Sequence, residues 1–395
     1  KEHRKIIGHA VRANYLYAGL ADLYMEEGDP EYKAVLDSVW DDLVRHKIYI
    51  TGGCGALYNG ASPYGNFFNH QLIHQAYGYP YQLPNTTAYN ETCANVGLVM
   101  WAYRMFLADP QPEYFDMIER VMLNTNLASI SLDGKRFFYQ NALARAKKLE
   151  FELVWPLSRT EYITSYCCPP NLARNLAQSS EYAYTMSEDT IYVGLYGSSK
   201  TKIALPNGTT CTLVQETHYP FDGHVDFIVS DLTGPGKLAV RIPSWAHGAW
   251  LNGDLVDQPC YAEVDLKEGV IDLDLPIDFR LTSANDMVEE DQGLVCVECG
   301  PLVYCMESPD ADVGTLNQLR IDVFPHLKPR WIRICGREIL ALTGEMRCKP
   351  AAPEDTLYHP LIVGPEEYIP VQWIPYFAWD NRGMGEMKIW FSTGL

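Results

Sequence analysis

The stretch Tyr166-Cys167-Cys168-Pro169-Pro170-Asn171-Leu172-Ala173-Arg174-Asn175-Leu176 is followed, beyond Ser187, by Thr190-Ile191-Tyr192-Val193, and between the two the chain changes period. The paired prolines suit a first helical turn, where a missing N–H would be unpaired in any case. Leu172, Leu176 and Tyr182 then recur at helical spacing. From Ile191 onward the apolar residues alternate, as in a strand with one buried face.

Working back from that boundary, Ile7, Ala10, Val11, Tyr15, Leu20 and Leu23 predict a helix ended by Gly28-Asp29-Pro30. Val35, Leu36, Val39, Trp40, Leu43 and Val44 predict a second helix opened by Pro30. A third is expected over 94–107, and a fourth after Pro112 carries Phe115, Ile118, Val121 and Met122. Helices of this kind on short turns form a bundle, a solenoid or an α/α toroid. Working forward, Thr212-Leu213-Val214, Val225 to Val229, Leu238 to Ile242, Val270 to Leu275, Leu294 to Cys299 and Leu302 to Met306 are strand-like. Turns recur at intervals of roughly 10 residues, the spacing of antiparallel sandwiches. The expected class is α+β and multidomain: a helical part over 1–187 and β-sandwich parts over 188–288 and 289–395, with the second break near Asn285 to Asp291. No internal repeat is evident.

Composition narrows the function. The 395 residues suffice for two or three domains and need no staples. A net charge of −19, with no basic stripe, disfavours nucleic acid and anionic membrane surfaces. No apolar run reaches the roughly 18 residues of a membrane span. The hydrophobic content of 47% excludes disorder, and 26 Tyr with 9 Trp suit a protein whose flat rings stack on sugars. The chain opens on Lys1 with helical pattern from Ile6, so it reads as a processed start or a fragment. With no signal peptide to read, the compartment stays open between a bacterial periplasm and cytoplasm.

Eleven cysteines lack the spacing of a disulfide framework. Cys167 and Cys168 fall at a helix N-terminus, whose positive end favours thiolate. Cys93, in Asn90-Glu91-Thr92-Cys93, opens another helix with Asn90 as its expected cap. Glu91, Cys93, Cys167 and Cys168 make one hard and three soft ligands, a set that suits tetrahedral zinc. Residues two apart face nearly opposite sides of a helix, so Glu91 and Cys93 converge only if one of them precedes it. The competing reading is that these are small apolar side chains buried at helix ends. Spacing alone favours that second reading.

Six motifs occur in order: His9-Ala10-Val11-Arg12, Ile50-Thr51-Gly52-Gly53, Leu83-Pro84-Asn85, Glu91-Thr92-Cys93-Ala94, Phe137-Phe138-Tyr139 and Cys167-Cys168-Pro169-Pro170-Asn171. Together they resemble glycoside hydrolase family 127, the β-L-arabinofuranosidase family and its relatives. The later β region is similar in layout, including Gly300-Pro301-Leu302-Val303-Tyr304. The resemblance implies an (α/α)6 barrel followed by β-sandwich domains, with the helices here as the barrel's C-terminal half and an N-terminal portion missing. It implies a zinc ion (Zn2+) held by Glu91, Cys93, Cys167 and Cys168, with Cys167 as the nucleophile of a retaining reaction through a thioglycosyl intermediate. His9 and Tyr139 match substrate-contacting positions. The physics supports this use of sulfur, because a metal-bound thiolate is deprotonated at neutral pH without a dedicated base. Ordinary retaining glycosidases give that role to a carboxylate.

One departure stands out. The family's acid/base Glu lies 16 residues before the Glu of Glu-Thr-Cys, and here that position is Gln75. Residues 48–90 contain no Asp, Glu, Lys or Arg at all. An amide cannot deliver a proton at neutral pH. Three explanations compete. The substrate brings its own carboxylic acid, as aceric acid of the pectin rhamnogalacturonan II would, and Gln75 orients it. Alternatively His74, Tyr77 or the missing portion supplies the proton. Or the protein has lost catalysis and kept sugar binding. The expected function follows the first: a zinc-dependent, retaining exo-glycosidase releasing aceric acid or β-L-arabinofuranose from an oligosaccharide of plant cell-wall pectin or arabinan. Cys167 and Gln75 are its catalytic pair, and His9, His74 and Tyr139 its substrate contacts. A sugar-binding relative without turnover is the alternative, and an epimerase using His bases without metal is a third reading. The β parts are expected to seal the barrel and to allow a homodimer.

Other motifs have plainer readings. Cys296-Val297-Glu298-Cys299 is expected as a strand rather than a redox pair, and Cys54 as packing. Gly52-Gly53-Cys54-Gly55 is expected to let backbone approach the sugar. Trp245 and Trp250 are expected in a sandwich core, His70 exposed and His74 at a pocket wall.

Overall fold

The structure is a computed structural model that describes residues 1–61, 72–146, 155–353 and 356–394. His70 lies outside the described residues.

Among the described residues, five α-helices build the first part: α1 (Ala10–Glu27), α2 (Pro30–His46), α3 (Thr92–Ala108), α4 (Pro112–Arg120) and α5 (Cys168–Ala177). Gly28 closes α1 in the left-handed conformation at φ 67°, which glycine adopts without strain. Asp29 caps α2 by accepting from the Glu31 N–H, with Pro30 behind it. The buried face of α1 differs from the expected one. It carries Ala10, Ala13, Asn14, Tyr17, Ala18 and Ala21, whereas Tyr15 and Leu23 are exposed. Small side chains let α1 approach α3 closely, and a Cβ on Gly97 would lie 3.2 Å from the Cβ of Asn14. Trp40 meets Trp101 edge to face at 5.1 Å in the core of these helices.

Helix α4 runs on as a π-helical segment, Val121–Asn126. Its Asn124 accepts from the Val303 N–H and donates to the Pro301 carbonyl, tying the helices to the C-terminal strands. The glycine run has a different purpose from the expected one. A Cβ on Gly52 would lie 2.9 Å from the backbone of Val121, and one on Gly55 would lie 2.5 Å from Ala10. The run is buried and lets the chain pass between α1 and the π segment, so packing rather than sugar contact explains it.

In the middle part a six-stranded sheet (in spatial order 254–256, 249–251, 269–274, 224–230, 210–217, 199–204) faces a four-stranded one (260–265, 237–242, 190–193, 184–186). Ile191, Val193, Val240 and Ile242 of the small sheet share a core with Leu213, Val225, Phe227 and Leu273 of the large one. The pairing of Thr190–Val193 with Lys237–Ile242 is parallel, a departure from the purely antiparallel expectation. Trp250 is 48% exposed, contrary to the expected core position, because Ala249 and Leu251 on either side point inward. Trp245 is only partly buried and donates to Glu119.

The third sheet runs from Phe279–Ser283 to Phe391–Thr393 and also takes in Ala144–Arg145 from the helical part. Leu294–Cys299 pairs with Phe391–Thr393 through its first two residues and with Leu302–Glu307 through its last two, so the path of pairings closes on itself. Strand spacing alone predicts two stacked sheets here, but a twisted sheet of this many strands curls and closes. Among the described residues no helix is long and apolar enough to cross a membrane.

Candidate functional site

Three stretches of chain meet beside α1: residues 89–93, 139–141 and 167–168. Glu91 is extended (φ −59°, ψ 131°) and immediately precedes α3, so it turns back toward Cys93 as no regular helix would allow. Asn90 is not the cap expected from the sequence. Its amide is drawn instead to the carbonyl of Asn141 at 3.2 Å, and its own φ is 38°. Cys167 precedes α5 and Cys168 opens it, with both prolines in the first turn as expected.

One ligand atom from each of Glu91, Cys93, Cys167 and Cys168 lies within 4.8 Å of every other. The Cys167 and Cys168 sulfurs are 3.7 Å apart, and each is 3.8 Å from Oε1 of Glu91. A tetrahedron with metal–sulfur bonds of about 2.3 Å has edges of about 3.8 Å. Glu91 Oε2 is buried with no partner among the described residues. The three separations among Glu91, Cys167 and Cys168, the donor set and the orphaned oxygen fit a four-coordinate metal. Three of the four side chains are buried and Cys167 alone is exposed.

The electrostatics follow from this crowding. Burial pushes the Glu91 carboxyl up to about 7, and a charge on Cys167 adds to the effect. Hydrogen bonds from Cys168 and Cys93 hold the Cys167 thiol far below the usual thiol range. Burial raises Cys168 far above it, and the bond to Cys167 pushes Cys93 up to about 12. Among three sulfurs the first negative charge therefore settles on the exposed one.

Around the cluster runs a hydrogen-bonded aromatic wall. Tyr139 donates to Glu91 Oε1 at 3.1 Å. Gln75, at a left-handed φ of 56°, donates Nε2 to Tyr89 at 2.7 Å and to Tyr139 at 3.4 Å. Trp155 stacks on Tyr139 with ring centres 3.9 Å apart and donates its indole N–H to Tyr89 at 2.9 Å. His9 bonds the Gln75 side chain. Burial first, then the nearby Arg12 charge, lower His9 from its ordinary 6.5, so its ring is neutral at pH 7.

Seven of the eight residues singled out from sequence thus lie in one hydrogen-bonded group: Glu91, Cys93, Cys167, Cys168, Gln75, Tyr139 and His9. His74 stands apart. It is exposed and bonded to Asn59 across the two strands 57–61 and 72–76. Sequence reading missed Tyr89 and Trp155, and also Ser165, whose hydroxyl is 3.4 Å from the Cys167 sulfur. Tyr89 adjoins the Glu-Thr-Cys motif, which was a usable signal, whereas Trp155 reaches the site only through space. Cys54, Cys296 and Cys299 are buried outside the cluster, the last two on a strand as expected.

With this geometry in hand, the comparisons with known proteins are consistent along the chain. The model of the β-L-arabinofuranosidase GH127 catalytic domain matches residues 1–181, that of the middle domain 190–261, and that of the family 127 C-terminal domain 279–392. The chain is 31% identical to the non-reducing end β-L-arabinofuranosidase of Bifidobacterium longum subsp. longum, over 97% of its own length and 59% of the relative's. It is similar to a solved glycoside hydrolase at 41% identity and a TM-score of 0.94, covering 100% of this chain and 67% of that one. It is also similar to a solved GH127 β-L-arabinofuranosidase of Geobacillus stearothermophilus T6, at 32% identity and a TM-score of 0.86, covering 99% and 61%. The chain thus spans less than two thirds of the length of the curated relative. Three domain models in the right order, a relative with that likeness along almost the whole chain, and a Glu-Cys-Cys-Cys cluster lead to one assignment: the chain belongs to glycoside hydrolase family 127.

Proposed function

We propose that this chain carries the reaction centre of a retaining exo-glycosidase that releases a terminal pentofuranose-type sugar, aceric acid or β-L-arabinofuranose, from a plant cell-wall oligosaccharide. In this reading the helices belong to an (α/α)6 barrel over 1–187, followed by domains over 188–288 and 289–395. Glu91, Cys93, Cys167 and Cys168 would hold zinc, which when bound keeps their sulfurs as thiolates at neutral pH. The observation that carries the reading is the convergence of these four side chains within 4.8 Å of one another, with Cys167 alone of the four exposed.

The chain's own residues then divide the work. The Cys167 sulfur attacks the anomeric carbon, the glycosidic C–O bond breaks, and its electron pair leaves with the oxygen, which takes up a proton. Water next gives a proton to the group that released one in the first step and displaces the sulfur as thiolate, and the second inversion restores the configuration. Gln75 directs its Nε2 hydrogens to Tyr89 and Tyr139 and, as a neutral amide, delivers no proton at neutral pH. It is therefore an orienting group, and with aceric acid as the terminal sugar the proton comes from the carboxylic acid of the sugar itself. A Glu at this position would repel such a substrate. Neutral His9 and the Tyr139 hydroxyl complete the contacts to the sugar, and His74 would act only at the rim.

Gln75 also supports a second reading, a sugar-binding relative without turnover. The test assays the protein on a rhamnogalacturonan II side chain ending in aceric acid and on a β-L-arabinofuranoside, beside Cys167→Ser. Turnover of the first, abolished in the variant, is expected. Turnover of only the second contradicts the acidic substrate. Binding without turnover of either supports the second reading.

A further inference from the structure

Beneath the Glu91–Cys93 turn lies a layer of neutral polar side chains, almost wholly shielded from solvent: Asn90, Thr92, Asn95, Thr125, Ser129 and Asn141. Polar groups are costly to bury, so their value lies in the bonds they make. Asn141 sits at the centre. Its Nδ2 donates to the Asn90 carbonyl at 2.9 Å and to Thr92 Oγ1 at 3.2 Å, and its Oδ1 accepts from Ser129 at 3.0 Å. Its backbone N–H also reaches the Asn90 carbonyl, at 3.2 Å. The side chain therefore grips the residue before Glu91 and the residue after it. Those are the positions that must be held. Asn90 sits at a φ of 38°, which a non-glycine residue adopts only when its surroundings impose it, and Glu91 is the last extended residue before α3. If that turn relaxes, Glu91 swings away from the sulfur of Cys93.

We propose that Asn141, which is none of the four candidate ligands, is the positioning residue of this site and sets its affinity for a divalent metal. The proposal rests on the reading that the four residues bind a metal. It is tested on the full chain with Co2+ under reducing conditions, following the thiolate-to-cobalt absorption and obtaining Kd by competition with a chelator. Asn141→Asp keeps the shape and the acceptor but loses both N–H donors. Its added negative charge would by itself tighten cation binding, so any weakening belongs to the lost donors. Asn141→Asp is expected to weaken Co2+ by about 10- to 100-fold, the range for partners of metal ligands, and Thr92→Val to weaken it in the same direction. Ser129→Ala leaves both donors of Asn141 in place and is expected to stay within about twofold of the parent. Circular dichroism of each metal-free variant reports whether it is folded at the assay temperature, a readout that separates positioning from mere stability. Folded Asn141→Asp and Thr92→Val proteins that bind Co2+ like the parent would overturn the proposal, and Thr92→Val alone decides if the other does not fold. A parent chain that takes up no Co2+ removes the metal reading itself, and the proposal with it.

Discussion

Tyr139 donates its phenolic proton to Oε1 of Glu91 at 3.1 Å, while its own hydroxyl oxygen accepts from Nε2 of Gln75 at 3.4 Å. Burial, with the Glu91 charge beside it, holds the phenol far above its ordinary pKa, so it stays a donor at any working pH. One hydroxyl therefore links Gln75 to the Glu-Cys-Cys-Cys cluster. Replacing it by hydrogen breaks that link without opening a cavity. Tyr139→Phe is predicted to bind the metal proposed for the cluster as the parent does and to lose about 10- to 100-fold in kcat/KM, the worth of a hydrogen bond to a charged group. Metal analysis beside steady-state kinetics checks this, and unchanged kcat/KM would show that the link is idle.

Gln75→Glu places an ionisable group at the position where the resemblance implies an acid/base Glu. On a neutral β-L-arabinofuranoside the variant is expected to gain up to about 10²- to 10⁴-fold, the usual worth of general acid catalysis. On a sugar acid it is expected to lose, because two carboxylates would then share one pocket. The ratio of kcat/KM for the two substrates, compared between parent and variant, reads the outcome directly.

Arg241 is fully buried and pairs with Asp116 at 2.6 Å and Glu119 at 2.5 Å, fastening α4 to the middle sheets. Tyr219 and Trp245 donate to the same Glu119 carboxylate. Arg241→Met leaves two carboxylates without their cation and is predicted to cost about 3–5 kcal/mol of stability. A lowered urea midpoint is the expected reading.

Burial lifts the Asp291 carboxyl from 3.8 to about 6, against the pull of the Asn85 amide that donates to it at 2.7 Å. A carboxyl raised in the folded state holds its proton more tightly there than in the unfolded chain. Its contribution is therefore neutral below about pH 4, turns unfavourable as pH rises toward 6, and is constant above. Asp291→Asn keeps an acceptor for Asn85 and removes the ionisation. It is expected to raise stability by about 1–2 kcal/mol at pH 7 to 8, after allowance for solvent screening, and by nothing at pH 4. Urea titrations of parent and variant at the two pH values decide it.

Much of this was legible in the chain before folding. Gly28 and Asp29 marked the turn between α1 and α2, and the loss of helical period after Ser187 marked the start of the β region. The requirement that one of Glu91 and Cys93 precede the helix follows from helical geometry and is met by an extended Glu91. What stayed hidden depends on partners distant in sequence. The buried face of α1 is mostly alanine, which carries little hydrophobic signal against a neighbouring Leu23. Gly52 and Gly55 are explained only once Val121 and Ala10 lie against them. The closure of the last sheet needs pairings such as Ala144–Arg145 with Met387–Lys388, which no local pattern announces. Trp155 has no motif, yet it roofs Tyr139.

The most direct test is an acid quench of the protein during turnover of a rhamnogalacturonan II side chain ending in aceric acid, followed by peptide-mapping mass spectrometry. A single glycosyl residue attached to the peptide of Cys167, and absent from Cys167→Ser, is the predicted result. Steady turnover with that cysteine unmodified, or with the sugar on a carboxylate instead, would contradict the account.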